Sequence, residues 1–310
     1  MPPKAKIIEA PVETGPAWTE RLIGHEAAER AFLRAFASGR LPHAWLISGP
    51  QGVGKATFAY RIARFLLAQP LWGEAHGLFG LVKASVPTSL DMPSTHPVFR
   101  SVAAGANPDF RILTPQMTDK GKPSKVIQVD DVRAVKDFLH LKAAFSMWRV
   151  VICDSANQLN KSSANAFLKS LEEPLSNTVL LLLSPAPQAV LPTIRSRCRK
   201  LVLQPLPRDL AANELAARFP DVAVEDRALA VETSGGSLGQ AIRMIEQGGV
   251  GLLREIGALL ANWPRLDAGL LHRLGDKLGG RDQDAQFDLA IELLGWWFAR
   301  MARVAATGDK

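Results

Sequence analysis

A short segment of the chain carries glycines and a lysine at the spacing of a phosphate-binding loop. Gly49, Gly54 and Lys55 occupy the fixed positions of the pattern GxxxxGK[ST], and Gly52 lies between them. In such a loop, successive backbone N–H groups and the N-terminus of the following helix attract phosphate oxygens. The lysine contacts the β- and γ-phosphates. These residues therefore predict nucleotide binding through the triphosphate.

Two positions around this loop lack groups that ATP hydrolysis requires. The pattern needs a hydroxyl after the lysine to hold magnesium, but Ala56 stands there. Thr57 does not replace it, because one step along a helix rotates a side chain by about 100°. Asp154 follows the apolar run RVVIC and can steer magnesium, whereas Ser155 stands where hydrolysis needs a carboxylate base. We therefore predict a degenerate site. Two alternatives stay open: the loop binds nucleotide weakly, or it keeps its fold without binding nucleotide.

Apolar runs and helical periodicity surround the loop and recur along the chain. Trp45–Ile47 is typical of a buried strand, and a helix is expected from the loop to about Gln69. Further elements alternate: a strand leading into a helix at 126–140, a strand at Arg149–Cys153, a helix at 160–174 and a strand at Thr178–Leu183. This alternation predicts an α/β fold with a parallel sheet covered on both faces.

The chain divides by composition into three parts. Residues from about 70 to 125 are rich in Pro, Gly, Ser and Thr, which predicts an insertion with a possible short strand near Phe110–Leu113. After Pro205–Pro207 the strand pattern stops, and three short helices and then longer helices are expected. We predict an α/β nucleotide-binding-type domain at 1–204, a small helical domain at 205–248 and a second helical domain at 249–310.

Composition favours an intracellular globular protein. A hydrophobic content of 47% with 22% charged residues is ordinary for a soluble protein, and the net charge of +7 suits either an anionic partner or a merely basic surface. No apolar run is long enough for a membrane helix, and the first residues lack the apolar core of a signal peptide. The two cysteines, Cys153 and Cys198, argue for a reduced, cytoplasmic protein.

Two further blocks carry a specific resemblance. DSANQLNKSSANAFLKSLEEP, followed by LPTIRSRCRKL, resembles the AAA+ clamp-loader family of bacterial DNA polymerase III. The similarity extends from Leu22 to about Met244 and includes LIGHE, RLPHAWLISGPQGVGKAT and GGSLGQAI. It implies an AAA+ P-loop domain, then a small helical lid and a C-terminal helical collar through which subunits assemble.

The resemblance also implies roles for individual residues. Arg197, in the SRC segment, matches the arginine finger that acts in trans on ATP bound by a neighbouring subunit; the alternative is a basic cluster that is a solvated face or contacts phosphate backbone. Gly239 stands where active loaders carry an arginine that senses the γ-phosphate. Ser184 matches a polar sensor, although a serine at a strand end is more often a local cap.

One feature of the family is missing from the insertion. Many members carry a four-cysteine zinc module after the phosphate-loop helix, and this segment contains no cysteine. His76, His96 and Asp91 do not replace it, because a structural zinc site needs four close ligands, usually with thiolates. We therefore expect no zinc and no cofactor of its own beyond weak or vestigial ATP binding.

Apolar residues near the C-terminus recur at alternating spacings of four and three. We expect some of them to form the core of the last domain and others to lie in the collar interface that the resemblance implies, and Trp296 and Trp297 add bulk beside them. The stripe consists of Phe287, Ile291, Leu294, Phe298 and Met301.

The sequence as a whole predicts a non-catalytic, stator-like subunit of the DNA polymerase III clamp loader. Its expected partners are gamma/tau-type and delta-type loader subunits, the sliding clamp and primed DNA, in a hetero-oligomer without a membrane. One alternative is an ATP-hydrolysing P-loop protein in its own right, through Lys55 and Asp154. Another is a stand-alone nucleic-acid-binding module, which the positive charge favours.

Overall fold

The computed structural model describes residues 14–69, 87–116, 124, 126–261, 263–280 and 283–308. The chain forms two compact units. The first comprises Met1–Gly49 and Gly54–Gln204, and the second comprises Pro50–Val53 and Pro205–Lys310. The tip of the phosphate loop therefore belongs to the unit formed by the C-terminal third of the chain.

A five-stranded parallel sheet forms the centre of the first unit. Its strands are β1 (Ala44–Ser48), β2 (Phe110–Leu113), β3 (Arg149–Cys153), β4 (Thr178–Ser184) and β5 (Arg199–Val202). Their order across the sheet is β2-β3-β4-β1-β5, with every pair parallel. All residues of β1, β3 and β4 are buried, so both faces of the central sheet are covered. The predicted α/β fold with a parallel sheet is confirmed.

Six helices accompany the sheet in the described part of the first unit. They are α1 (Glu26–Ala37), α2 (Lys55–Leu67), α3 (Pro97–Ala103), α4 (Val129–His140), α5 (Lys161–Glu172) and α6 (Pro192–Arg195). Local chemistry sets some of their starts: the Asn160 side chain caps α5 by accepting from the Ser163 N–H, and His96 caps α3 through the Val98 N–H.

Three details of the sheet differ from the sequence prediction or extend it. The prediction of a strand before α4 is wrong. Ile127 makes one isolated bridge to Leu159, and the helix begins at Val129. The acidic first turn of α4 favours that early start. Within the predicted insertion, β2 is present and pairs with β3 in the main sheet, and β5 adds an edge strand that was not predicted.

Helices make up the second unit. They are α7 (Arg208–Arg218), α8 (Val224–Thr233), α9 (Leu238–Glu246), α10 (Gly249–Leu260), α11 (Ala268–Leu278) and α12 (Asp284–Thr307). The structure gives one compact unit here, so the boundary predicted at 248/249 stays a prediction. Within the described residues, no helix combines the length and apolar character needed to span a membrane.

Candidate functional site

The phosphate loop connects β1 to α2 with backbone angles that favour glycine. Gly52 and Gly54 lie in the left-handed region at φ 75° and 102°, and Gly49 has φ 150°. Gly54 is the N-cap of α2, so Lys55 is the first residue of that helix. A Cβ atom at Gly54 would lie 2.8 Å from Leu22 Cδ1, which gives this glycine a packing role as well. The sequence thus forms the strand–loop–helix geometry that its motif predicts.

Lys55 and Asp154 are the charged groups of this site. The Lys55 ammonium donates to the Gly49 carbonyl oxygen at 2.8 Å, within the loop itself. Burial lowers the pKa of Lys55, and the charge of Asp154 offsets part of that change. Burial also raises the pKa of Asp154, against the opposing hydrogen bonds from Ser155 and the charge of Lys55. Each group is therefore partly desolvated, and the pair attracts.

The residues at the loop do not fit a magnesium nucleotide fully. Lys55 and the glycines provide the cation and the backbone conformation, but Ala56 presents no oxygen where magnesium needs one. Thr57 is half-buried in the first turn of α2. Asp154 provides a carboxylate that could bind a magnesium ion, but residue 56 provides no hydroxyl as a second ligand.

Ser155 and Ser184 have structural surroundings. Ser155 adopts a left-handed backbone at φ 67° and ψ 51°, a conformation that costs a non-glycine residue about 1 kcal/mol. Ser184 is fully buried; its hydroxyl donates to Asn157 Oδ1 at 3.2 Å and accepts the Ala186 N–H at 3.1 Å. Ser184 therefore makes the contacts of a local cap at the end of β4.

The loop tip is bound by the start of α9 within the second unit. The Gly239 N–H donates to the Gly52 carbonyl at 2.9 Å, and the buried Ser237 hydroxyl donates to the Gln51 carbonyl at 2.6 Å. A Cβ atom at Gly239 would lie 2.6 Å from Gly52 O, which is closer than real Cβ contacts. In this arrangement no side chain fits at position 239. The resemblance implies a sensor arginine at this position in active loaders; here the Gly52 backbone occupies the space beside Gly239.

Arg197 lies two residues after the end of α6, and its exposed side chain is held by two neighbours. Its guanidinium bonds Glu172 Oε1 at 2.7 Å through Nη2 and the Thr193 carbonyl at 2.9 Å through Nη1. The side chains of Arg197 and Glu172 are 39% and 48% exposed. Glu172 is the last residue of α5. The two blocks that carry the clamp-loader resemblance, LEEP and SRC, therefore meet in one ion pair, which sequence reasoning did not detect.

The candidate zinc ligands in the insertion have other partners where they are described. His96 Nδ1 accepts the Val98 N–H at the start of α3, and Asp91 pairs with the buried Arg61 at 2.8 Å. His76 lies outside the described residues. In the described part of the chain, no group of three or more His, Cys, Asp or Glu residues is arranged to hold a metal ion.

The fold and the loop define the class of the protein. A parallel sheet whose first strand runs into a glycine-rich loop and a helix, followed by helices alone, is the AAA+ P-loop architecture that the resemblance predicts. A DNA polymerase III gamma subunit-related protein of Thermotoga maritima is similar at 18% identity and a TM-score of 0.38, covering 83% of this chain and 76% of that one. The Thermotoga maritima RuvB Holliday junction branch migration motor has 15% identity and a TM-score of 0.44, covering 87% and 75%.

Comparisons of sequence identify the particular relatives. A family model described as DNA polymerase III, delta subunit, matches residues 87–207. The DNA polymerase III subunit delta prime of Pseudomonas aeruginosa is 38% identical over 207 residues, which are 66% of this chain and 56% of that protein. The Escherichia coli subunit delta prime is 32% identical over 214 residues, which are 68% of this chain and 57% of that protein. The gamma/tau subunit of Mycobacterium tuberculosis is 29% identical over 238 residues, which are 75% of this chain and 37% of that protein.

The chain is therefore a homologue of the DNA polymerase III delta prime subunits, and the resemblance to the clamp-loader family is confirmed. It spans a little over half the length of the delta prime relatives named above.

Proposed function

We propose that this protein is a non-catalytic, stator-like subunit of the DNA polymerase III clamp loader that supplies Arg197 in trans to ATP on a neighbouring subunit. The observation that carries the proposal is the contrast between two sites. The chain's own loop lacks the magnesium hydroxyl, and glycine stands at position 239, where a Cβ atom would meet the Gly52 carbonyl oxygen. Arg197 keeps its guanidinium at the surface, oriented by Glu172 and Thr193.

An arginine finger acts by placing positive charge against the transferring phosphoryl group. Glu172 and the Thr193 carbonyl bind the two terminal nitrogens of the Arg197 guanidinium and leave an exposed part of the side chain for a partner. Glu172 would be a positioning residue in this scheme, since it acts through Arg197. The partners implied are gamma/tau-type and delta-type subunits, with the sliding clamp and primed DNA as the objects of the assembly, in the cytoplasm.

The decisive measurement is ATP turnover by the complex reconstituted with gamma/tau-type and delta-type subunits. We expect Arg197→Ala to leave assembly intact and to lower turnover by about 10³-fold, the lower end of the range for arginine fingers. Arg218→Ala is the matched control, because Arg218 is also an exposed arginine paired with a glutamate, and it should change turnover little. Unchanged turnover for Arg197→Ala in an intact complex would rule out the finger.

The isolated chain tests the other half of the proposal. We expect weak or absent ATP binding and no hydrolysis, and we expect that Ala56→Thr does not restore hydrolysis, because Ser155 and Gly239 still lack the groups that active sites use. Sustained turnover by the isolated chain, near one per second and thus typical of slow enzymes, would favour the alternative of an independent P-loop ATPase.

A further inference from the structure

Two adjacent cavities in the second unit have no part in the proposed function. The first has a volume of about 360 Å³ and an apolar floor that includes Met244, Leu289 and Leu293. The second has a volume of about 290 Å³ and is lined by three arginines, Arg208, Arg300 and Arg303. Both include Trp296, Thr233 and Ser234 in their walls, so they form one groove with Trp296 between its two ends.

The arginine-lined end of the groove carries unbalanced positive charge. Arg300 pairs with Glu232, and its guanidinium lies over the Trp296 ring at 5.4 Å from the centroid. Among the described residues that line this cavity, Glu232 is the one carboxylate, against three guanidinium groups. Within the described residues, no carboxylate pairs with Arg208 or Arg303, and both arginines are exposed. Planar guanidinium groups without a carboxylate partner are well suited to bind phosphate.

Other groups at this end support a site for an anion. Arg208 is the first residue of α7, and the N-cap residue of that helix is Pro207, which offers no side-chain acceptor to its N–H groups. The positive end of the α7 dipole therefore adds to the local potential. The Thr233 and Ser234 hydroxyls already donate to the Leu229 and Val231 carbonyls, so the arginines are the donors available to a ligand.

The other end of the groove is neutral and has the composition of a site for a flat, weakly polar group. Arg243 and Glu292 in its wall neutralise each other by pairing, and Gln51 and Gln240 contribute amides beside the apolar floor. The Trp296 ring is half-buried and stands between this end and the arginines. An aromatic ring beside a cationic patch is the arrangement with which proteins bind bases and phosphates together. The cavity volume lies within the range of about 300–1,000 Å³ that small-ligand sites have.

We propose that this groove binds a nucleotide unit, with its phosphate on Arg208 and Arg303 and its base against Trp296 in the neutral cavity. The nucleotide unit can belong to single-stranded DNA or to a free nucleotide, since both present the same chemistry. The neutral end shares Gln51 with the tip of the phosphate loop. The proposal nevertheless rests neither on nucleotide binding by that loop nor on the role proposed for Arg197.

The test uses the full chain and two probes, an oligomer of about ten deoxythymidines and, separately, dATP. Binding is measured by isothermal titration and by quenching of tryptophan fluorescence, with Trp296→Phe to identify the signal from that ring. We expect Arg208→Ala with Arg303→Ala to weaken binding at least tenfold and to reduce its salt dependence, because two phosphate contacts are lost. Trp296→Leu should weaken binding by about fivefold to a hundredfold, the range for loss of base stacking.

A control pair separates the site from the general positive charge of the chain. Arg133→Ala with Arg218→Ala removes the same formal charge at exposed, carboxylate-paired positions outside the groove. The proposal is supported if this control pair still binds the probes while the groove variants lose binding. The circular dichroism spectra of the groove variants must be unchanged, so that the loss does not come from unfolding. Binding of the oligomer alone assigns the site to single-stranded DNA, and binding of dATP alone assigns it to a free nucleotide. Equal losses in both pairs, or no binding of either probe, would overturn it.

Discussion

At the scale of single residues, Asp154 illustrates how burial of a carboxylate can destabilise a fold. Burial raises the pKa of its carboxyl, so the folded chain holds this proton more tightly than the unfolded chain does. The ionised carboxylate therefore costs stability at every pH above the ordinary carboxyl value. Asp154→Asn is expected to raise the free energy of unfolding at pH 7, and the gain should fade as the pH falls towards about 3, where both side chains are neutral.

Urea unfolding at both pH values measures this difference. Asp221→Asn, at an exposed position, is the control and should change stability little at either pH. A less stable Asp154→Asn variant at pH 7 would show that attraction to Lys55 outweighs the burial of Asp154.

Gly239 illustrates a second effect at this scale, the close packing of two backbone segments against each other. The contact with Gly52 leaves no room for a side chain at position 239, because an added Cβ atom would lie 2.6 Å from the Gly52 carbonyl oxygen. Gly239→Ala should therefore destabilise the chain by about 1–3 kcal/mol through overpacking. Gly251→Ala is the matched control: Gly251 lies in α10 with open space where a Cβ would stand, so alanine should stabilise by about 0.5–1 kcal/mol. Thermal unfolding of the two variants checks this, and equal effects would show that the Gly239 contact yields freely.

At the scale of elements, a buried carboxylate holds the loop that follows α4. Asp109, just before β2, accepts the backbone N–H groups of Ala144, Phe145 and Ser146 at 2.7, 2.8 and 3.0 Å and is 1% exposed. Asp109→Ala would leave three donors without their acceptor, at an expected cost of about 3 kcal/mol or more. The exposed ion pair of Asp130 and Arg133 provides the control, and Asp130→Ala should cost less than about 1 kcal/mol. Urea unfolding measures the loss of stability in each variant. Similar losses for Asp109→Ala and Asp130→Ala would contradict the structural importance of Asp109.

The elements also show how far sequence reasoning reaches. The strands β1, β3 and β4 were predictable, because each is a continuous apolar run buried on both faces. The burial of Arg61 and Arg64 in α2 was not, because it depends on partners from remote segments. Arg61 pairs with Glu29 and Asp91, and Arg64 donates to the Thr19 carbonyl while its burial lowers its pKa to about 10.

The same limit explains what was missed at the candidate site. The phosphate loop and the SRC arginine are local patterns and can be found by spacing alone. The contact of Gly239 with Gly52 and the pairing of Glu172 with Arg197 join segments that only the folded chain brings together. The sequence alone therefore identifies the candidate residues, and the folded chain shows which remote residues contact them.

At the scale of the whole molecule, the last helix, α12, has two different apolar faces. Leu289, Ala290 and Leu293 of α12 are buried within the unit. Phe287, Ile291, Phe298 and Met301 are 51%, 53%, 52% and 41% exposed, so most of the predicted stripe faces solvent in the isolated chain. Exposed apolar side chains that recur along one helix are typical of a surface that is covered in an assembly. This supports the contact with other subunits that the clamp-loader resemblance implies for the C-terminal helices.

Replacement of this exposed stripe should separate assembly from folding. Ile291→Glu with Phe298→Glu places charge on two solvent-facing positions, so the thermal stability of the isolated chain should change little. Co-purification with gamma/tau-type and delta-type subunits should fall at least tenfold, because two carboxylates would have to be buried without partners in the contact. Phe145→Glu, which is 76% exposed in the first unit, is the control for added charge at an exposed aromatic position and should leave assembly intact. Normal assembly of the α12 variant would place the subunit contact on another surface, because a collar interface cannot accept two unpaired charges at its centre.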